Sequence, residues 1–221
     1  MNHLSAALRK EMLIQWRQRG HFVAVFAFGA ITLFLFSFAI GPNSEILRRH
    51  SAGYLWLALM LSSTLTLADS FHFETEQRAL EGLLLLPASA RAIFYAKALA
   101  NWFLLVALGI VLIPLMVVLY DAGTTRLPEL LGVVLLGTAG LAAPGTLYAA
   151  MTSGTKGRGM LLPLLLFPLV VPVLLAAVRA SSLLILGDPM GQLRSWTILL
   201  LSFDLIYWSL CGLLFEKVVE D

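Results

Sequence analysis

The sequence predicts an all-α integral membrane protein with six transmembrane helices, and three observations predict it. Of the 221 residues, 59% are hydrophobic and 13% charged, about half the charged share of a soluble domain, and mean hydropathy is +0.88. The apolar residues fall in runs long enough for the roughly 20 residues a bilayer core requires, without the short alternation of barrel strands. Lysines and arginines gather at the ends of those runs. A net charge of +2, with no basic stripe interleaved with aromatics, excludes a nucleic-acid binder.

Taken in order, residues 1–19 read as an interfacial helix. Leu4, Leu8, Met12 and Trp16 form one i, i+4 row, and Trp16 suits the headgroup level. Glu11, Gln15 and Arg19 intrude on that apolar face; the alternative is a plain cytoplasmic tail. Arg9, Lys10, Arg17 and Arg19 precede a run from Gly20 to Ser44 that carries no Asp, Glu, Lys or Arg. That run exceeds a signal-peptide core and lacks a small-x-small cleavage site, so an uncleaved first span is expected. Spans are expected near 22–40, 51–68, 98–120, 129–151, 160–181 and 195–215, within one transmembrane domain over 1–221. Gly41-Pro42-Asn43 separates the first two, Asp121-Ala122-Gly123 ends the third, and Gly187-Asp188-Pro189 divides the fifth from the sixth.

With the N-terminus inside, ten Lys and Arg residues lie on the inner segments and five on the outer ones. Both termini are therefore expected in the cytoplasm. The segment 70–97 then also faces the cytoplasm. It mixes Glu74, Glu76, Arg78, Glu81, Arg91 and Lys97 with an apolar patch at Leu83 to Leu86, closed by Pro87. A charged helix there, with its acids near the N-terminus where the macrodipole favours them, would offer a surface for a soluble partner. The plainer reading is a solvated connection between two spans.

Spans four and five have their own chemistry. Gly132, Gly137, Gly140 and Gly145 crowd the fourth around Pro144, and Gly145, Ala149 and Ser153 repeat every four residues, a small-residue face for close helix approach. Pro163, Pro168 and Pro172 punctuate the fifth and are expected to kink it. Helix packing is one role for Gly137, Gly145, Pro168 and Pro172, and movement during a transport cycle is the other.

Candidate chemistry is sparse. Thr152 to Gly159 is rich in glycine and basic residues but is not G-x-x-x-x-G-K-[ST], and no buried strand precedes it. His3, His21, His50 and His72 are scattered without a second ligand at metal spacing. No catalytic, cofactor or metal site is expected in this chain, and it is not expected to be an enzyme. Cys211, the single cysteine, lies in an apolar run, where a buried inert thiol is expected. Asp204 is the one acidic residue deep in a span. Such residues face protein or water, and a hydrogen-bonded structural role is expected ahead of a substrate role, with Arg179 the nearest basic candidate.

Over nearly its whole length the chain resembles the CcmB family, membrane subunits of the cytochrome c maturation ABC transporter. The resemblance rests on Ile40-Gly41-Pro42, on Leu80-Glu81 through Leu86-Pro87 to Ala96-Lys97, on Leu136-Gly137-Thr138, and on Phe167-Pro168-Leu169 to Pro172. Arg78 departs from it, standing where related sequences favour glycine. What the resemblance implies is a type-II exporter (ABC-2) fold with an interfacial N-terminal helix and six spans. It also implies a dimer in which each copy docks a separate ATPase, CcmA, through Glu74, Glu76, Arg78, Glu81, Leu83, Pro87 and Arg91. CcmC, CcmD and the haem chaperone CcmE would complete the system, with ATP bound on the partner and haem a possible substrate. The alternatives are an exporter subunit for lipid or drug, and a non-transporting assembly scaffold.

Overall fold

The computed structural model describes residues 8–13, 19–69, 90–123, 125–152 and 158–220. Six long helices follow one another: α1 Arg19–Ile40, α2 Ser44–Asp69, α3 Ala90–Tyr120, α4 Leu127–Thr152, α5 Arg158–Leu186 and α6 Leu193–Glu220. A shorter helical stretch occupies 8–13. Each stretch read as a span lies inside one of the six, and the helices extend beyond the apolar runs. α3, for instance, begins at Ala90 rather than near residue 98.

Among the described residues, five helices are long and apolar enough to cross a membrane: Phe22–Ile40, Ala90–Tyr120, Leu127–Thr152, Leu164–Leu186 and Leu193–Lys217. The expected span 51–68 lies in α2; it carries no Asp, Glu, Lys or Arg and is rich in serine and threonine. Ser51, Ser62, Ser63 and Thr66 are buried against neighbouring helices. Three of these hydroxyls donate to carbonyls of their own helix: Ser51 to Arg48 O at 2.8 Å, Ser63 to Met60 O at 2.7 Å, and Thr66 to Ser62 O at 3.2 Å. A hydroxyl satisfied within its own helix costs little to bury, and at about 1.5 Å per residue α2 is as long as its neighbours.

α4 sits at the centre, packed against α2, α3, α5 and α6, while α1 packs on α2 and α3. The ends of the helices are closed locally. Gly41, at φ 74°, terminates α1, and its amide donates to Ser37 O at 3.1 Å. Asn43 Oδ1 accepts the amide of Ile46 at 3.2 Å and so caps α2. Gly187, at φ 103°, ends α5. Asp188 caps α6, accepting the amides of Gln192 at 2.8 Å and Leu193 at 2.9 Å. Those amide bonds, Leu193 first, hold the Asp188 carboxyl below its usual range against a smaller opposing desolvation, and Arg126 adds to the effect.

Candidate functional site

The centre of the bundle is organised by what α4 lacks. Gly137 receives the indole of Trp56 from α2, and a Cβ at that position would lie 2.8 Å from Cζ3 and 2.9 Å from Cζ2. Neither backbone nor ring has room to give, because Trp56 is fully buried and its Nε1 donates to Ser181 Oγ on α5 at 2.9 Å. Gly145 is covered in the same way by Leu67. Gly140 faces α5 and α6, where a Cβ would meet Val173 Cγ1 at 2.7 Å and Asp204 Oδ1 at 2.9 Å. The small residues thus admit three different helices to within backbone distance of α4.

Polar groups tie the same helix to its neighbours. Asn101 on α3 donates to Thr146 Oγ1 at 3.0 Å in a fully buried contact. Trp102 Nε1 reaches the carbonyl of Leu135 at 2.9 Å, and Trp208 Nε1 that of Ala139 at 3.2 Å. α4 continues through Pro144, whose missing N–H leaves the carbonyl of Gly140 without its usual helical donor. α5 likewise continues through Pro168 and Pro172, and Tyr207 from α6 donates to Leu169 O between them at 2.8 Å.

Asp204 differs from the expectation. It is only 9% exposed, yet its Oδ1 has no hydrogen-bond partner among the described residues, so Arg179 does not pair with that oxygen. Its Oδ1 lies 2.9 Å from the position that a Cβ on Gly140 would take, and Val173 borders the same position. The hydrogen-bonded role assigned from sequence is not met at this oxygen among the described residues. Cys211 is buried, as expected.

The second cluster lies at the base of α3. Arg91 is half exposed and makes a two-point contact with Glu216 near the end of α6, Nη2 at 2.6 Å and Nε at 2.8 Å from Oε2. Phe94 is fully buried and packs on Phe215 at 5.3 Å between ring centroids. Tyr95 stacks on Trp208 at 6.3 Å. Lys97, counted from sequence as part of a water-facing segment, is 2% exposed, and its Nζ lies 3.2 Å from Glu11 Oε2 of the helical stretch 8–13. Glu11, which spoiled the apolar face of the N-terminal helix in sequence, has its partner here.

Of the expected partner-binding residues, Arg91 is in this cluster, and Glu74, Glu76, Arg78, Glu81, Leu83 and Pro87 lie outside the described residues. Trp56, Asn101 and Thr146 were not named from sequence, and Lys97 and Glu11 were named without their pairing. One signal was available for two of them: Phe94, Lys97, Asn101, Leu105, Leu108 and Leu112 recur at helical spacing and form the buried stripe of α3.

These features define a class, a multi-pass all-helical membrane protein whose closest helix contacts centre on α4 and whose ion pairs gather at helix ends. Within that class, the family model described as CcmB protein matches residues 2–218, and the chain belongs to that family. It is similar to "Heme exporter protein B" of Pseudomonas aeruginosa, 34% identical over 196 residues, covering 88% of this chain and 87% of that one. The protein of the same name from Rhodobacter capsulatus is 37% identical over 175 residues, covering 78% and 79%. That from Escherichia coli K12 is 33% identical over 181 residues, covering 78% of each.

Proposed function

We propose that this chain is the membrane-spanning subunit of a haem export system serving cytochrome c maturation, and that it couples ATP hydrolysis on a separate ATPase subunit, CcmA, to haem delivery or to release of the haem-loaded chaperone CcmE. Release of the loaded chaperone is the favoured form. The observation that carries the reading is the family match over residues 2–218, with relatives named heme exporter protein B along most of their length. In this reading the ATP site belongs to the partner, the subunit works as a dimer with CcmC and CcmD alongside, and the protein lies in the inner membrane with both termini cytoplasmic. In this reading the stretch 74–91 is the docking surface for the ATPase, with Glu81 meeting a basic partner residue.

The test is complementation. A strain lacking its own heme exporter protein B should regain c-type cytochromes, read by haem staining, when it carries this chain with its ATPase. Normal membrane levels without cytochrome recovery would overturn the reading. Glu81→Lys should stay in the membrane and stop maturation, since truncating one member of a desolvated interfacial charge pair costs about 2–5 kcal/mol and a reversal adds repulsion. Full cytochrome levels with Glu81→Lys would remove Glu81 from the coupling surface.

A further inference from the structure

The base of α3 is held in two directions at once. Toward α6 it is fixed by the Arg91–Glu216 contact, by Phe94 on Phe215 and by Tyr95 on Trp208. Toward the N-terminus it carries Glu11 on Lys97. Arg91 and Lys97 are six residues apart, about 9 Å along the helix, so both attachments lie within roughly the first two turns after residue 89. The two differ in kind. Arg91 and Glu216 are substantially exposed, whereas Lys97 is buried and the side chain of Glu11 is 13% exposed.

A buried ion pair is a poor device for stability alone, since apolar residues of the same volume serve as well or better. Its best-attested use is to fix register. Glu11 also has Lys10 at 3.9 Å, but that contact lies within its own stretch and does not tie it to α3. A helix lying along a bundle by its apolar side chains can slide and rotate. One whose Glu11 must meet an ammonium recessed in the α3 surface cannot.

We propose that Lys97 is the positioning residue that makes the N-terminal helical stretch move with α3 as one body. Resting on the ATPase-coupling reading above, a displacement applied at the docking stretch reaches the base of α3 beside Arg91. It then divides between the end of α6, through Arg91, and the N-terminal helix, through Lys97. Nothing in the family match assigns this role to either residue of the Glu11–Lys97 pair.

The experiment uses the full chain, assembled with its ATPase in proteoliposomes, with Cys211→Ala and spin labels on Arg9→Cys and, on α3, Ile110→Cys, both exposed positions. The expected result is one narrow distance distribution with Lys97 present. Lys97→Met should broaden it and lower cytochrome maturation per assembled complex roughly tenfold or more, a common size for coupling between sites, with ATPase association unchanged. The reversed pair Glu11→Lys with Lys97→Glu should restore both the narrow distribution and maturation. An unchanged distribution in Lys97→Met would overturn the proposal. So would a fall in protein level with normal turnover per complex, or a reversed pair that restores the protein level alone. The distance measurement needs neither haem nor maturation, so failure of complementation by the unmodified chain would count against the proposed function and leave the joint to be decided by the distances.

Discussion

α1 and α4 invert the relation between apolarity and burial. The apolar stretch of α1 has the higher mean hydropathy, 2.5 against 1.8 for α4, yet 22% of it is buried inside the molecule against 78% for α4. α1 carries six phenylalanines and turns Phe38 outward at 81% exposure, with Val23, Ile31 and Leu35 also exposed. α4 carries glycine, alanine and threonine and has almost every neighbour packed on it. In water the more apolar helix would be the inner one. In a bilayer the surrounding tails are as apolar as leucine, so hydrophobicity gives no reason to leave the lipid, and close packing with interhelical hydrogen bonds decides which helix is central.

The sharpest way to break this comparison is to give α4 the bulk of α1. Gly137→Val places methyl groups where the Trp56 indole lies and should cost about 3 kcal/mol or more, read as unfolding in mixed micelles. Gly132→Val, on the same helix with no described atom within 4 Å of its Cβ position, should stay within about 0.5 kcal/mol. Equal losses at the two glycines would mean that helix propensity, not the Trp56 contact, sets the requirement.

A smaller effect tests the polar half of the comparison. Asn101→Leu removes a buried bond to Thr146 and should cost about 1 kcal/mol, with a coupling to Thr146→Val near the ~0.6 kcal/mol average for such pairs in membranes. An additive double variant would show that the contact contributes packing rather than a hydrogen bond. On α1, Leu35→Ala should shift stability by no more than about 0.5 kcal/mol, since its side chain faces lipid in either case. A loss comparable with Gly137→Val would place a protein partner on that face.

The smallest expected effect lies at the helix ends. Asp188 sits in the turn between α5 and α6, and its carboxyl is held below the usual 3.8 chiefly by the Leu193 amide. A group whose folded value is lowered contributes stability above its unfolded value and loses it as pH falls through the folded one. Amide protection at the start of α6, corrected for the intrinsic exchange rate, should therefore fall below about pH 4 in the unmodified chain, and Asp188→Ala should flatten that dependence. An identical acid profile in both would show that the cap does not hold α6.

Both the places where the sequence was legible and those where it was not have physical causes. Helix positions were readable because a lipid-exposed backbone must satisfy itself locally, so each apolar run from 22–40 to 195–215 marks its own helix. The close approach at α4 was readable in outline, because glycine at 137 and 145 is a local property of the chain. The turn at Gly41-Pro42-Asn43 was equally local, with Gly41 and Asn43 acting within a few residues of themselves.

The sequence by itself therefore determined the class of protein, the helices and the helix able to sit at the centre. Tertiary structure alone decided which side chain enters each gap, Trp56 on Gly137 and Asp204 on Gly140, and that Lys97, a charge by composition, is an interior residue. Its partner Glu11 is 86 positions away. Hydropathy is a sum over neighbours in the chain, whereas burial and ion pairing depend on neighbours in space. A lysine beside a carboxylate and a lysine beside water are the same letter in sequence and opposite environments in the fold.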